Sequence, residues 1–522
     1  MNSTVKNIED LLFYAERELH LGLEDKVYAR NSLYELFRVD PEDVTPEERP
    51  LEEITDELVR YGIETGIAEE GSELRFETKV IGLVTPSAGE VVNEFERIYD
   101  DHGPISATKY LYDLSIKNNY IRLNDIRRNI CWYADGKKGK IAITINLSKP
   151  EKDPKQVLAE KAFKGKKYPK CMICLENLGF CGTPAHPARQ TLRIVPFTLN
   201  GESWHMQYSP YVYYDEHCIV FRDEHVPMKI TADTMKRLTE FVGKMPHYFL
   251  GSNADLPIVG GSILAHDHYQ GGRKVLPMFF AGMRKMYEAT NGITIGVKDW
   301  YNSVITIKGL DRMAVADRAW KITQAWENYT DESVNIICAT GEERHSTVTP
   351  IAYIEGRDYV IDLILRNNRA DAKHPYGIFH PTEDMHNIKK EAIGLIEAMG
   401  LFILPGRLKR ELYALMKEIR QKEPDLKKIF EDPVLGKHAN LFVQAMACEG
   451  KGLTEEESRK AILDRVDEIC FRILECTAVF KNTDEGQAAF DKFMMTVASG
   501  KGVKGMPNEP RKRGRPPMGP RV

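Results

Sequence analysis

A chain of 522 residues with 42% hydrophobic and 29% charged residues has length for more than one folded unit and the make-up of an ordinary globular protein. Its 72 basic and 77 acidic residues leave a net charge of −5, which excludes a global attraction to nucleic acid or anionic membrane, so any anion site has to be local. No window approaches the ~18 consecutive apolar residues of a membrane span, and nine thinly spread cysteines with one CxxC pair argue against a secreted disulfide scaffold.

The opening MNSTVKNIEDLLFYAEREL is too acidic and amphipathic for a signal peptide, so a cytoplasmic protein with reduced thiols is expected. To about residue 130 the spacing predicts helix. Leu11, Leu12, Tyr14, Ala15 and Leu19 mark one face, residues 31–39 continue in that style, and Pro41, Pro46 and Pro50 interrupt it. Ile141, Ile143 and Ile145 alternate with Ala142, Thr144 and Asn146, which predicts a strand over 140–147, and the polar SKPEKDPK of 148–155 is a connection. Short strands are expected at 192–196, 211–221, 257–264, 303–307, 334–338 and 350–365, the last broken by a turn at 355–358. Helical spacing follows in Ile388, Ala392, Ile396 and Met399. Thr454 with Glu457 forms a capping box ahead of the stripe Ala461, Ile462, Val466, Ile469 and Ile473. The fold class is therefore α+β. The tail after Ser499, KGVKGMPNEPRKRGRPPMGPRV, has almost nothing to bury and reads as disordered.

The chemistry concentrates in GSNADLPIVGGSILAHDHYQGGR, residues 251–273. On an extended chain His266, His268 and Gln270 point one way, and the glycines are expected to clear room for a phosphate near the backbone. A neutral imidazole at His268 can attack phosphorus, and Gln270 can donate to the phosphoryl oxygen as charge develops. Two histidines in a loop are more often packing residues than catalysts, but the glutamine, the flanking glycine pairs and the GSN turn shift that balance. Asp267 between the histidines reads as solvated. Cys171 and Cys174 are a half-site for tetrahedral zinc, with His225 and His266 the chosen partners and Cys181 a weaker candidate.

YPKCMICLENLGFCG, QYSPYVYYDEHCIVFRDEHVPM and GSNADLPIVGGSILAHDHYQGG together resemble the class II UDP-glucose–hexose-1-phosphate uridylyltransferases, and AITINLSKPEKDPK and GIFHPTEDMHNIKKEAIGLIEAMGLFILPGRL resemble further blocks of that family in the same order. The resemblance implies two histidine-triad-like halves with helical N- and C-terminal regions. It divides the chain into a helical region at 1–150, a first half with the nucleophile at 151–290, a second half at 291–445, C-terminal helices at 446–499 and the basic tail at 500–522. It also implies a ping-pong exchange in which UDP-glucose uridylylates His268, glucose 1-phosphate leaves, and galactose 1-phosphate takes the uridylyl group. Cys171, Cys174, His225 and His266 fall at the family's zinc positions, with His217 as the rival to His225. Asn253, Ser262, Gln270, Lys390 and Glu397 are the expected substrate contacts, Lys389 belonging to the same block. The second half has no HxH, and His345, His374, His380 and His386 read as isolated loop residues.

The implied partners are UDP-glucose and galactose 1-phosphate, with room for a homodimer and no membrane. Two rival readings have other consequences. A histidine-triad nucleotide hydrolase or dinucleoside polyphosphate phosphorylase would pass the nucleotidyl group to water or phosphate. A nucleic-acid-binding protein would use RKRGRPP of the tail as a minor-groove hook, a short motif whose accidental occurrence is the better reading.

Overall fold

The computed structural model describes residues 3–148, 168–261, 263–287 and 292–498. The expected connection over 149–155, Ser262 and the tail after 499 lie outside the described residues. The described N-terminal region has six helices longer than one turn, α1 (Ser3–Glu18), α2 (Leu23–Phe37), α3 (Leu51–Glu64), α4 (Glu73–Leu83), α5 (Ala88–His102) and α6 (Pro104–Lys117), and a single turn at Leu123–Ile126. The α1 stripe is buried where its spacing requires, at Leu11, Leu12, Ala15 and Leu19, each such side chain stabilising by ~1.5–3 kcal/mol except the smaller alanine. Asp10 on the same helix is buried as well, and accepts from Lys6 at 2.7 Å, the Glu47 amide at 2.6 Å and Arg49 at 3.3 Å. Those contacts fasten the proline-interrupted linker to α1. Among the described residues, no helix is long and apolar enough to cross a membrane.

A hairpin of β1 (Ile130–Ala134) and β2 (Ile141–Asn146) precedes the main sheet. That sheet is built twice over. The first unit runs β3 (Val195–Leu199), β4 (Glu202–Tyr208), β5 (Cys218–Arg222), α7 (Ala232–Lys244), β6 (Tyr248–Gly251) and β7 (His268–Arg273). The second runs β8 (Met283–Tyr287), β9 (Ile293–Lys298), β10 (Val304–Gly309), α8 (Arg312–Glu327), β11 (Ser346–Glu355) and β12 (Asp358–Asn367). Spatial order is β3-β4-β5-β7-β6 from one edge and β8-β9-β10-β12-β11 from the other, so β6 and β11 meet antiparallel at the centre of ten strands. Three strands, a helix and two strands recur in the same order, which makes the two units topological copies. The change of unit falls between Arg273 and Met283, ahead of the expected 290, because β8 pairs with β9.

Helices α7 and α8 cover one face of this sheet, and Arg312 of α8 donates to the Lys236 carbonyl of α7 at 3.2 Å. The other face of the second unit is covered by apolar side chains of the chain between Met385 and Leu474. There β13 (Leu401–Pro405) adds in parallel to β2, and α9 (Leu408–Ile419), α10 (Ala439–Glu449) and α11 (Glu455–Thr477) follow, whereas α12 (Asp484–Ala498) returns to the α8 side, where the Phe493 ring lies 5.6 Å from that of Trp326. Thr454 and Glu457 form the expected capping box at α11.

Several expected strands move. The described residues of the apolar run 257–264 form a loop, closed by an Ala254–Gly260 bridge, and the strand is the motif itself at His268–Arg273. An apolar run without alternation does not separate a loop from a strand. Residues 388–400 form one helical turn, Leu395–Ala398, because nearly every apolar side chain there is buried, not one stripe. Residues 211–217 are a turn leading to β5, residues 334–338 carry no strand, and β4 lies outside the expected set. The hairpin of β11 and β12 turns at Gly356, whose φ of 63° suits glycine.

Across the sheet, Ile219, Gln270, Gly251, Ile351, Asp362, Thr306 and Gly296 stand in one row on one face. Gly251 is required in that row, since a Cβ would stand 2.4 Å from the Leu395 side chain and 3.0 Å from that of Ile351. In the same row, fully buried Asp362 pairs with Lys298 at 2.7 Å, and Lys298 also reaches the Tyr353 hydroxyl at 3.2 Å. Asp362→Ala would strand a buried ammonium, so chemical denaturation should show a loss of ~3–5 kcal/mol. Lys298→Met with Asp362→Leu should recover most of it. An unchanged unfolding midpoint for the single variant would contradict this account.

Candidate active site

In β7, His268 stands opposite Phe221 of β5, and Gln270 stands between Ile219 and Gly251. Alternation puts both side chains on the sheet face away from α7. The His268 Nδ1–H donates to the His266 carbonyl at 2.8 Å, which leaves Nε2 as the nitrogen with a free lone pair. Burial, partly offset by that hydrogen bond, pulls His268 down to about 4, so the ring is neutral near pH 7.

Gln270 is aligned by a residue the sequence offered only as a rival metal ligand. His217 Nε2–H donates to Gln270 Oε1 at 3.3 Å, turning the amide N–H groups away from itself. His217 is buried between the rings of Tyr213, 5.5 Å away, and Tyr214, 4.6 Å away, and burial lowers it to about 4. Next to it, Glu216 receives Arg273 at 2.8 Å and the Tyr248 hydroxyl, joining the turn before β5 to the end of β7. The two glycines after Gln270 do not clear a path for phosphate. A Cβ on Gly271 would meet the Phe249 carbonyl at 2.6 Å, and one on Gly272 the Glu216 carbonyl at 2.7 Å, so both admit neighbouring chain.

Cys171, Cys174, His225 and His266 converge, with their ligand atoms all within 4.8 Å of one another. Cys171 Sγ lies 3.3 Å from Cys174 Sγ and 3.3 Å from His266 Nδ1, and Cys174 Sγ lies 3.0 Å from His225 Nδ1. The cluster could hold a metal ion. Burial and the Cys171 thiol push Cys174 up to about 12, so two thiolates here need a positive charge between them. His266 meets the needs of a ligand on its other side too, donating Nε2–H to the Arg222 carbonyl at 2.7 Å. Asn177, buried, donates to the carbonyls of Cys171 and Cys174 at 2.8 Å each and fixes the CxxC turn. Its signal was the asparagine three residues past Cys174. Cys181 is exposed and outside the cluster.

Residues 23–227 match the model of the galactose-1-phosphate uridyl transferase N-terminal domain. A galactose-1-phosphate uridylyltransferase of Caldanaerobacter subterraneus subsp. tengcongensis is 42% identical over 94% of this chain and 98% of its own, and one of Bacillus subtilis is 41% identical over 94% and 97%. The chain belongs to the galactose-1-phosphate uridylyltransferase family. Among solved structures, a yeast Ap4A phosphorylase aligns with 63% of this chain and 89% of its own at 10% identity and a TM-score of 0.29.

The remaining residues expected at this uridylyltransferase site distribute unevenly. Asn253 is buried and accepts the Leu395 amide at 2.9 Å, while Gly261 packs on its Nδ2. It therefore joins the loop ahead of β7 to the 394–395 turn. Glu397 lies by that joint, its Oε2 being 3.5 Å from where a Gly394 Cβ would stand, and is paired with Lys389 at 2.9 Å. Lys390 is exposed. Asp267, expected to be solvated, is buried on the opposite face, 3.9 Å from Arg237, and burial raises it to about 6.

Asp255 anchors the loop ahead of β7 by accepting Ile230 N–H at 3.1 Å, Thr347 Oγ1–H at 2.7 Å and Arg344 at 2.8 Å, and Arg344 also contacts Glu327. Burial, opposed by Arg344 and reinforced by Asp255, raises Glu327 from 4.5 to about 7. A raised carboxyl favours folding in its protonated form. That contribution is full below about 4.5 and is lost as pH rises through about 7. Thermal unfolding of Glu327→Gln compared with the parent should show a variant that gains relative stability as pH rises across this window; a pH-independent difference would remove Glu327 as the titrating group.

Proposed function

We propose that this uridylyltransferase exchanges UMP between UDP-glucose and galactose 1-phosphate in two displacements through His268. The observation that supports it best is the Nδ1–H bond to the His266 carbonyl, which presents a neutral Nε2 on the face shared with Gln270. In the first step Nε2 bonds to the α-phosphorus of UDP-glucose, the bond to the bridging oxygen breaks, and glucose 1-phosphate leaves with that electron pair. In the second, a phosphate oxygen of galactose 1-phosphate attacks the same phosphorus. The P–N bond breaks, UDP-galactose leaves, and the imidazole is restored without a net proton change.

Each displacement adds negative charge to the non-bridging oxygens. The Gln270 amide, held at its oxygen by His217, donates to them and strengthens as the charge grows. Asn253 and Glu397 shape the far wall, and Lys390 is free to meet a substrate phosphate. The comparison with relatives supports the substrate pair, and two thiols with two imidazole nitrogens suit zinc held by Cys171, Cys174, His225 and His266. Zinc there would neutralise the thiolates and brace His266, whose carbonyl orients the nucleophile. A cytoplasmic setting keeps such thiols reduced.

Incubation with UDP-glucose alone should add one uridylyl group to the parent protein by mass spectrometry and none to His268→Asn. An undiminished adduct in the variant would remove His268 as the nucleophile. The same experiment separates transfer from hydrolysis, because a hydrolase releases UMP on prolonged incubation.

Gln270→Ala should lower the single-turnover uridylylation rate by roughly 10²–10³ with a lesser change in KM, and His217→Phe should lower it less. A normal rate at saturating UDP-glucose would mean that Gln270 binds ground and transition states alike.

Elemental analysis of freshly purified protein should find about one zinc per chain, as one four-ligand site requires. Cys171→Ser and Cys174→Ser should lose it and melt at lower temperature, because metal binding contributes to folding free energy. Metal-free protein of parental stability would overturn the assignment.

A further inference from the structure

A cleft of about 520 Å³ lies between the 383–387 turn, α10 and α11. Its size is within the ~300–1,000 Å³ of small-molecule sites, and none of its lining residues belongs to β7 or to the Cys/His cluster. Three amides converge on it: Asn387 from the turn, and Asn440 and Gln444 one helical turn apart on α10.

Asn387 is the informative one. It is only 8% exposed, yet its Oδ1 has no hydrogen-bond partner among the described residues. Its orientation is fixed from behind. Glu411, already bound to Arg407 and Lys437, accepts the His438 Nε2–H at 2.9 Å. Neutral His438 therefore offers Nδ1 as an acceptor, and Asn387 Nδ2–H donates to it at 3.1 Å. Burial favours that neutral ring. The amide oxygen of this lining residue is left as a buried acceptor with no partner among the described residues, which costs ~1–3 kcal/mol.

The charges of the lining exclude an anion trap. Lys437 is held by Glu411 at 2.7 Å and Arg472 by Asp384 at 2.7 Å, so both cations are neutralised, and Glu383 adds a negative charge. Amides, which donate and accept at once, and carboxylates with spare lone pairs match hydroxyl groups. Leu441, Val443 and Ile469 supply apolar surface for the C–H groups between them.

We propose that this cleft is a second, non-catalytic site for an uncharged polyhydroxylated molecule of hexose size. The full-length protein, saturated with UMP to occupy the nucleotide site, would be titrated by calorimetry with D-galactose, D-glucose, sorbitol and inorganic phosphate. The expected result is saturable one-to-one binding of at least one of the three polyols, none of phosphate at the cleft, and a loss of roughly tenfold or more in affinity in Gln444→Leu, equivalent to ~1.4 kcal/mol. Asn440→Ala should weaken it in the same direction, and both exposed-residue variants should keep parental uridylyl transfer. No saturable polyol binding, binding unchanged in both variants, or phosphate competing at the same residues would each overturn the proposal.

Discussion

The hydrogen bond from His268 Nδ1 to the His266 carbonyl is the contact on which the candidate site turns, because an imidazole has one lone pair to offer and that bond decides which nitrogen carries it. A carbonyl can do this only if its own peptide is immobile. Here the Asp267 amide donates to Val226 at 2.7 Å, the Asp267 carbonyl accepts from Arg222 at 3.0 Å, and the His266 ring is held between the two thiols and the Arg222 carbonyl. The motif's alternation thus divides the work between faces. Asp267 and Tyr269 point backward, where Arg237 lies 5.4 Å over Trp204 and Trp204 stacks on Tyr269 at 4.7 Å.

Topological duplication supplies the frame but not a second site. The row that carries Gln270 in the first unit carries Asp362 and Thr306 in the second, and there it is sealed by Lys298 and by the chain around Leu395. In the first unit Gln270 stays half-exposed on that face, and in the second the same face anchors the C-terminal region. The Gly251 position at the seam serves both, since any side chain there would push Leu395 off the sheet.

What the sequence disclosed follows from how local each signal is. HDHYQ, CxxC and the capping box at Thr454 were legible because their geometry is set within a few residues. The hairpin over 346–367 was legible from its apolar run and the glycine turn that breaks it. The loop at 257–264 was misread because an apolar run alone does not separate a loop from a strand, and the turn at 388–400 because its apolar side chains are nearly all buried, whereas periodicity reports only one-sided burial. Asp267 was misplaced for a related reason: its partner, Arg237, comes from α7. His217 was visible as a histidine, but its bond to Gln270 depends on the register of β5 with β7, which no short pattern encodes.

The parallel pairing of β13 with β2 has a consequence for synthesis. The β1–β2 hairpin leaves the ribosome early, yet the edge of β2 stays unpaired until Leu401–Pro405 has been made, and Trp132 waits longer still for Asp467, 2.7 Å away in the finished protein. An open edge with Ile141, Ile143 and Ile145 on one side of it is a template for foreign strands. The nascent chain therefore carries this open edge through much of translation, and chaperone dependence should extend to that hairpin.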